Sequence, residues 1–336
     1  MSIVQLVKSD RSFQLRQRSN AETIKMPKEF TVVEAVPFRN KFNSVCERRF
    51  PAHPLKVSLD FSKTCFMDSS GIGALVSMLK TAKSAGILLA ICGLTPQVEA
   101  VLIMTGLDRV LNIESEATSD ALSVNDKSSL LPVTHASVRS RIKRVIDVLG
   151  ALVGLTLTGL LFIPIAIAIR KDGPGSFFFC QTRRGWMGRE FKLWKFRSMV
   201  PDAEARKLEV KNEAQGAIFK VKNDPRITKV GHFLRRTSLD ELPQFWNVLL
   251  GSMSLVGTRP PTAEEVDQYD VPEWRRLDVK PGITGEWQVH GRSSVKCFED
   301  IIRLDLRYQR NWSLLYDFKL MFKTVFVIFS KDSGAM

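Results

Sequence analysis

Two carboxylates stand side by side, Asp240 and Glu241, in the segment Thr237–Pro260 (TSLDELPQFWNVLLGSMSLVGTRP), with Arg235 and Arg236 before them and Arg259 after. Acidic residues set among arginines at a helix start suit the handling of anions, because free N–H groups and the positive dipole end favour a phosphate or an ionised carboxylate there. Pro243 lacks a backbone N–H and is tolerated only in a first helical turn. The helix is therefore expected to begin near Ser238–Asp240 and to stop at Gly251. Leu242, Phe245, Trp246, Leu249 and Leu250 would supply its wide buried face. Taken by spacing alone, Ser238 and Glu241 read more simply as a capping box with the other charges solvated.

The surrounding chain has to position this pair. Its 336 residues, 44% hydrophobic and 25% charged, suffice for two folded domains. The formal charge of +14 is uneven: residues 1–130 carry 16 Lys/Arg against 13 Asp/Glu, and residues 131–336 carry 33 against 22. Such a basic half fits nucleic acid, anionic lipid or phosphorylated substrates. No nucleic-acid motif accompanies the charge, whereas a membrane segment does. Cys46, Cys65, Cys92, Cys180 and Cys297 are scattered and the four histidines dispersed, which argues against zinc and for free thiols in a reducing compartment. The polar, charged residues 1–20 do not read as a secretory signal.

Residues 13 to about 116 alternate strand and helix. Leu55–Phe61 is a strand, Asp68-Ser69-Ser70-Gly71 opens a helix to about Ala85, and Gly86 precedes the strand Ile87–Cys92. Pro96 starts a second helix that Gly106 ends, before the strand Val110–Ile113. This is an α/β pattern, a sheet covered by helices. Gly71-x-Gly73 lacks the third glycine of a dinucleotide fingerprint. The runs LDFSKTCFMDSSGIGAL and GLTPQVEAVLIMTGLDRVL resemble STAS domains, the fold of anti-sigma-factor antagonists and sulfate-transporter tails. That resemblance implies a regulatory module of residues 1–116, with Ser70 matching the serine that a partner kinase phosphorylates in the antagonists. In the plainer reading Ser69 or Ser70 caps the helix. Residues 117–138, rich in Ser, Asn, Asp and Thr, read as a linker.

Arg139, Arg141, Lys143 and Arg144 then precede Val148–Ile169, 22 residues without a charge, which as a helix cover about 33 Å and could cross a bilayer. Pro164 interrupts the run. The far flank is basic too (Arg170, Lys171, Arg183, Arg184, Arg189, Lys192, Lys195, Arg197), and because positive charge stays cytoplasmic, a helix that breaks near Pro164 and returns to its own side satisfies both flanks. A signal anchor is the alternative. Trp312–Phe329 is apolar, with Lys319 and Lys323 one helical turn apart, as in an interfacial helix.

From about residue 139 to 332 the chain closely resembles the bacterial monotopic phosphoglycosyl transferases. The blocks that carry this are GPGSFFFCQTRRGWMGREFKLWKFRSM, NDPRITKVGHFLRRTSLDELPQ and VKPGITGEWQVHGRS. The resemblance implies a mainly α, α+β domain over 139–336, with a re-entrant membrane helix at about 145–170 on the cytoplasmic face of a bacterial inner membrane. It implies transfer of a sugar-1-phosphate from a UDP-sugar to polyprenyl (undecaprenyl) phosphate with release of UMP, starting exopolysaccharide, capsule, O-antigen or glycoconjugate synthesis. Asp240 would be the nucleophile, through an aspartyl phospho-sugar, with Glu241 beside it holding Mg²⁺. The residues alone do not choose between the two carboxylates. Lys195, Arg197, Arg226, Arg235, Arg236, Arg259 and Arg292 are the expected phosphate-binding set. Three positions depart from the family pattern: Ile163 before Pro164 where a Ser is usual, Thr258 for a frequent Pro, and Glu286 for an apolar residue.

Every one of these candidates lies after residue 139, so the N-terminal domain is expected to tune the reaction without performing it. A regulatory protein or kinase at that domain, and self-association, are the further partners expected; nucleic acid is not. The alternative to an enzyme is a membrane-tethered STAS scaffold whose transferase half is inactive.

Overall fold

The β-α-β pattern of the N-terminal third is realised as a parallel sheet in the computed structural model, which describes residues 21–48, 56–114, 131–210, 212–214, 216–219, 221, 223–290 and 297–329. Strands β1 (Ala21–Lys25), β3 (Lys56–Asp60), β5 (Leu88–Cys92) and β6 (Asn112–Ile113) form a four-stranded sheet in the order β1-β3-β5-β6. The register pairs Lys56 with Leu88 and Asp60 with Cys92. β2 (Glu29–Phe30) and β4 (Phe66–Met67) make a small parallel pair, and α1 (Val32–Arg48), α2 (Ser69–Ser84) and α3 (Pro96–Thr105) complete the layer. Continuous apolar strands such as LLAIC belong in a sheet buried on both faces, and Val57, Leu59, Ile91, Leu75 and Phe61 form its core. Gly106 ends α3 in the left-handed region, φ 73°, as its position suggested.

The start of α2 differs from expectation. Asp68, not a serine, is the N-cap, its carboxylate accepting from the Gly71 N–H at 3.0 Å. Ser70 is fully buried and its hydroxyl has no hydrogen-bond partner. A kinase acting on Ser70 would have to reach a side chain that is enclosed in this arrangement.

The chain clusters into two compact units, and the first contains more than the N-terminal third: residues 187–189 and 267–278 belong with it. The second stretch includes a 3-10 turn, Val271–Asp278, which buries Val271, Trp274 and Leu277. Asp278 accepts from the Ser69 N–H at 3.1 Å and from its hydroxyl. Burial, with the Asp68 carboxylate nearby, pushes the Asp278 carboxyl up to about 7 against the pull of Ser69 and Arg275.

The second unit is organised along α4 (Arg141–Asp172), a 32-residue helix of about 48 Å. It runs through Pro164 as one element, so the sequence break expected there does not end the helix. Lys143, Asp147, Ala151, Gly154, Thr158, Ile165 and Ile169 are buried, a stripe at helical spacing, while Leu149, Val153, Leu160 and Ile163 on other faces are exposed. The buried stripe packs on the rest of this unit from end to end. Lys143 pairs with Asp317 at 2.5 Å, Asp147 accepts from the Ser254 hydroxyl and the Leu255 N–H at 2.9 Å each, and Ile165 and Ile169 join Phe196, Leu234 and Leu242.

Hairpin β7 (Phe178–Arg184) and β8 (Glu190–Phe196), helices α5 (Lys229–Arg236) and α6 (Gln244–Leu250), and the parallel pair β9 (Ser254–Val256) and β10 (Gly282–Thr284) follow. Short α7 (Glu286–His290), then α8 (Phe298–Asn311) and α9 (Leu314–Phe329), close the unit. β9 and β10 approach backbone to backbone, since a Cβ on Gly282 would lie 2.1 Å from the Gly257 nitrogen. The helix expected from Ser238 begins later, at Gln244, with Pro243 at its cap; Leu239–Glu241 is a separate 3-10 turn. Ser238 takes φ 58° and its side chain caps nothing, so no capping box forms. Trp246 and Leu250, expected inside, are exposed.

The raised Asp278 carboxyl carries a pH signature. Folding retains a proton that the unfolded chain releases above 3.8, so this contribution to stability is full below that value and is lost as pH rises through about 7. Denaturant unfolding of the first unit is expected to weaken from pH 5.5 to 8. Asp278→Asn, neutral throughout, should flatten that slope and raise the midpoint at pH 8.

Candidate active site

Lys195 is carried by β8, whose alternation sends its neighbour Phe196 into the core beside Ile165 and Leu234. The ammonium lies 2.9 Å from a Glu241 carboxylate oxygen and 3.9 Å from Asp240. Both acids sit on the 3-10 turn that the left-handed Ser238 introduces. A non-glycine residue at positive φ is held only where its surroundings fix it, often at functional sites. The neighbours differ in environment: Asp240 is 5% exposed, Glu241 only partly buried.

These groups open into a cavity of about 250 Å³ that Arg183, Arg235, Arg259, Gln244 and Trp287 also line. A second, of about 400 Å³, shares Arg183, Lys195, Arg235 and Arg259 and adds Arg226. Arg235 donates to the Ser198 hydroxyl at 3.0 Å. Its pKa is lowered by burial, opposed by the charges of Asp240, Asp224 and Glu241; a guanidinium stays protonated all the same. Arg259 is held by both oxygens of Glu265, at 2.7 and 3.1 Å, and lies over the Trp287 ring, 5.7 Å from its centre. Arg226 grips Asp224 at 2.6 and 2.8 Å, and that hydrogen bonding lowers the Asp224 carboxyl. The result is a concave basic site with two carboxylates at its floor, suited to an anion with several phosphate oxygens.

Five of the expected residues therefore meet here at short range: Lys195, Arg235, Asp240, Glu241 and Arg259. Arg226 lines only the larger chamber. Arg197 also borders it but is committed elsewhere, donating to the carbonyls of Pro174, Gly173 and Ile169 at 2.6, 2.7 and 3.1 Å, and so closing the end of α4. Arg236 is exposed and lines neither chamber. Arg292 lies outside the described residues. Arg183, Gln244, Trp287 and Glu265 were not among the expected site residues; Arg183 alone had a signal, standing among the basic residues that follow the apolar helix. Glu286, the unusual acid, is buried but held by Arg307, His290 and Tyr316. Among the described residues no group of three or more His, Cys, Asp or Glu could hold a metal ion. The protein thus offers two adjacent hard carboxylates, a donor set that fits Mg²⁺ only in company with substrate oxygens and water.

Residues 138–331 match the family of bacterial sugar transferases, and residues 12–120 match the STAS domain. The chain belongs to the bacterial sugar transferase family, with a STAS domain ahead of the matched region. It is 50% identical over 188 residues to the galactosyl transferase CpsE of Streptococcus agalactiae, an alignment spanning 55% of this chain and 42% of that protein. To the UDP-glucose:undecaprenyl-phosphate glucose-1-phosphate transferase of Escherichia coli it is 42% identical, over 57% of this chain and 41% of the relative. To the exopolysaccharide production protein ExoY of Rhizobium meliloti it is 40% identical, over 54% and 83%. The chain thus spans less than half the length of the first two relatives.

Because Arg197 caps α4, its loss should be felt as stability. Arg197→Ala is expected to lower unfolding stability by about 1.5–3 kcal/mol, the range for hydrogen bonds from a charged group. Denaturant titration of the detergent-extracted protein measures this.

Proposed function

We propose that this protein is a membrane phosphoglycosyl transferase that moves a sugar-1-phosphate from a UDP-sugar to polyprenyl phosphate and releases UMP. The observation that carries the reading is the pair Asp240–Glu241 on one tight turn, with Lys195 2.9 Å from Glu241 and 3.9 Å from Asp240 and with arginines lining the same cavity. One of the similar proteins is named for a transfer of this kind, another as a galactosyl transferase and a third for exopolysaccharide production.

Lys195 lies closer to Glu241 than to Asp240, which leaves Asp240 the less tightly charge-paired of the two toward that lysine. The assignment of Asp240 as nucleophile comes from the family resemblance, and this spacing is compatible with it. Its carboxylate oxygen attacks the sugar-bearing phosphorus as the bond from that phosphorus to the bridging oxygen breaks, and UMP leaves with the bridging oxygen. An oxygen of the lipid phosphate then attacks the same phosphorus, and the carboxylate is freed. Lys195, Arg235 and Arg183 hold the diphosphate oxygens, where fixed cations stabilise charge without reorganising. Glu241 and Asp240 would hold Mg²⁺, which supplies neutralisation of the diphosphate and leaving group.

The membrane reading rests on α4. That its buried stripe packs on one unit from Lys143 to Ile169 supports the reading in which both ends lie on one side of the membrane. The exposed apolar residues of α4, and the exposed Trp246, Leu250, Phe322 and Phe326, are the groups that would meet lipid. Cysteines introduced near Ser140 and Ser176 are both expected to resist a periplasmic thiol reagent in intact cells. Labelling of either one alone would establish a crossing.

The reaction is tested by UMP release from a panel of UDP-sugars with polyprenyl phosphate and Mg²⁺. Asp240→Asn, of the same shape but without a nucleophilic charge, should abolish release while the protein stays folded and membrane-bound. Turnover by this variant removes Asp240 from its role. Binding of substrates without any UMP from the unaltered protein would mark a scaffold.

A further inference from the structure

The first unit holds a piece of chain far from it in sequence. Residues 267–278 lie within the region that matches the sugar transferases, yet they cluster with the sheet and helices of the N-terminal third. The seating is specific. Trp274 fills the space over Gly73 on α2, where an added Cβ would meet the indole at 2.5 Å, and over Gly188, where it would meet the ring at 3.0 Å. Ser69 donates its hydroxyl to the Trp274 carbonyl at 2.7 Å and its backbone N–H to Asp278 at 3.1 Å. Two ion pairs secure the other end, Lys80 with Asp267 at 3.5 Å and Arg39 with Asp270 at 3.3 Å.

Both covalent feet of this segment stand on the candidate site. Two residues before it, Glu265 holds Arg259. Four residues after Asp278, β10 begins at Gly282, which with Ile283 lines the cavity of the carboxylates.

We propose that the α1–α2 face of the STAS domain is an interaction surface whose partner is this chain's own segment 267–278, and that seating the segment sets the positions of Arg259 and β10. This rests on the transferase reading only for its effect on turnover. The domain is then a brace for the active site and its face is already occupied, in contrast to a tether-linked module that waits for a separate partner. A small residue at position 73 and buried Ser69 are what the seat requires: Gly73 leaves room for the indole, and Ser69 supplies two donors to the segment.

The test uses the full chain in membranes. Gly73→Met fills the seat from the STAS side, and Trp274→Ala empties it from the other. Hydrogen exchange at Ser254, Gly257 and Gly282, whose N–H groups join β9 and β10, reports the site without needing turnover. In both variants these amides are expected to exchange about ten-fold faster or more, with β3 and β5 still protected. UMP release should fall by about 10-fold to 100-fold, as misplacement on the ångström scale does. The double variant should be no worse than Trp274→Ala alone. Wild-type exchange at the three amides in Trp274→Ala overturns the proposal, whether or not Gly73→Met keeps its sheet. If the unaltered protein releases no UMP, the transferase reading fails, and the seat is still judged by exchange alone.

Discussion

Lys143 and Asp317 form an ion pair that is almost wholly removed from water, and much of the second unit is fixed by how that pair is satisfied. The ammonium also donates to the Val256 carbonyl at 3.1 Å, while Asp317 accepts from Tyr308 at 2.9 Å and from the Trp312 indole at 3.2 Å. Four elements therefore meet on one charge pair: α4, α8, α9 and β9. A buried pair is weak evidence of net stabilisation, but removing either partner strands the other charge at a cost of about 3–5 kcal/mol. Its value here is positional. β9 leads directly to Gly257 and Arg259, so the pair ties the start of the apolar helix to the strand from which the site is built.

The same helix meets two unlike demands. One face binds protein through polar anchors, with Asp147 on β9 and Arg144 on the carbonyls of Val248 and Leu249 at 2.7 Å each, closing the end of α6. The other is apolar and uncovered by protein. Small residues let the protein face come close, since a side chain on Gly154 would run into Phe245 at 2.3 Å and one on Gly150 into Leu255 at 2.5 Å. Close packing of this kind is how a helix stays bound where lipid offers no hydrophobic drive toward the protein. The proposed transfer of a sugar phosphate from a water-soluble nucleotide to a lipid phosphate would call for such a pairing, a basic cavity in the same unit as an uncovered apolar helix face.

Elements with strong local signals were legible in the chain. The strands around Val57 and Ile91, the helix ended by Gly106 and the long apolar helix follow from periodicity and glycine placement. The pairing of Lys195 with the carboxylates was half legible: strand alternation places Lys195 and Arg197 alike, and only the fold sends one to Glu241 and the other to the end of α4. Trp246 and Leu250 misled because a helical apolar stripe looks the same whether it faces the core or the surface. Asp68 displaced the neighbouring serines as cap, a choice among three good capping residues that spacing cannot make. The seat of Trp274 was illegible, since it joins residues about two hundred positions apart and its only local trace is a glycine inside a helix.

What distinguishes the carboxylates is backbone, not residue type. In a regular helix, neighbours point about 100° apart and a capping box would have directed Glu241 back to the chain. Here the left-handed Ser238 begins a tight turn instead, and Glu241 turns to Lys195 while Asp240 is enclosed. Pro243 makes the arrangement durable, because without an N–H it cannot extend the turn into one continuous helix beginning at Ser238. Two acids that chemistry would treat as nearly equal thus acquire separate surroundings from a single strained residue and a single proline. An attacking carboxylate has to keep a lone pair for phosphorus, and a metal-holding one has to share its charge with neighbours. The turn at Ser238 is what would let adjacent positions take the two roles proposed for them.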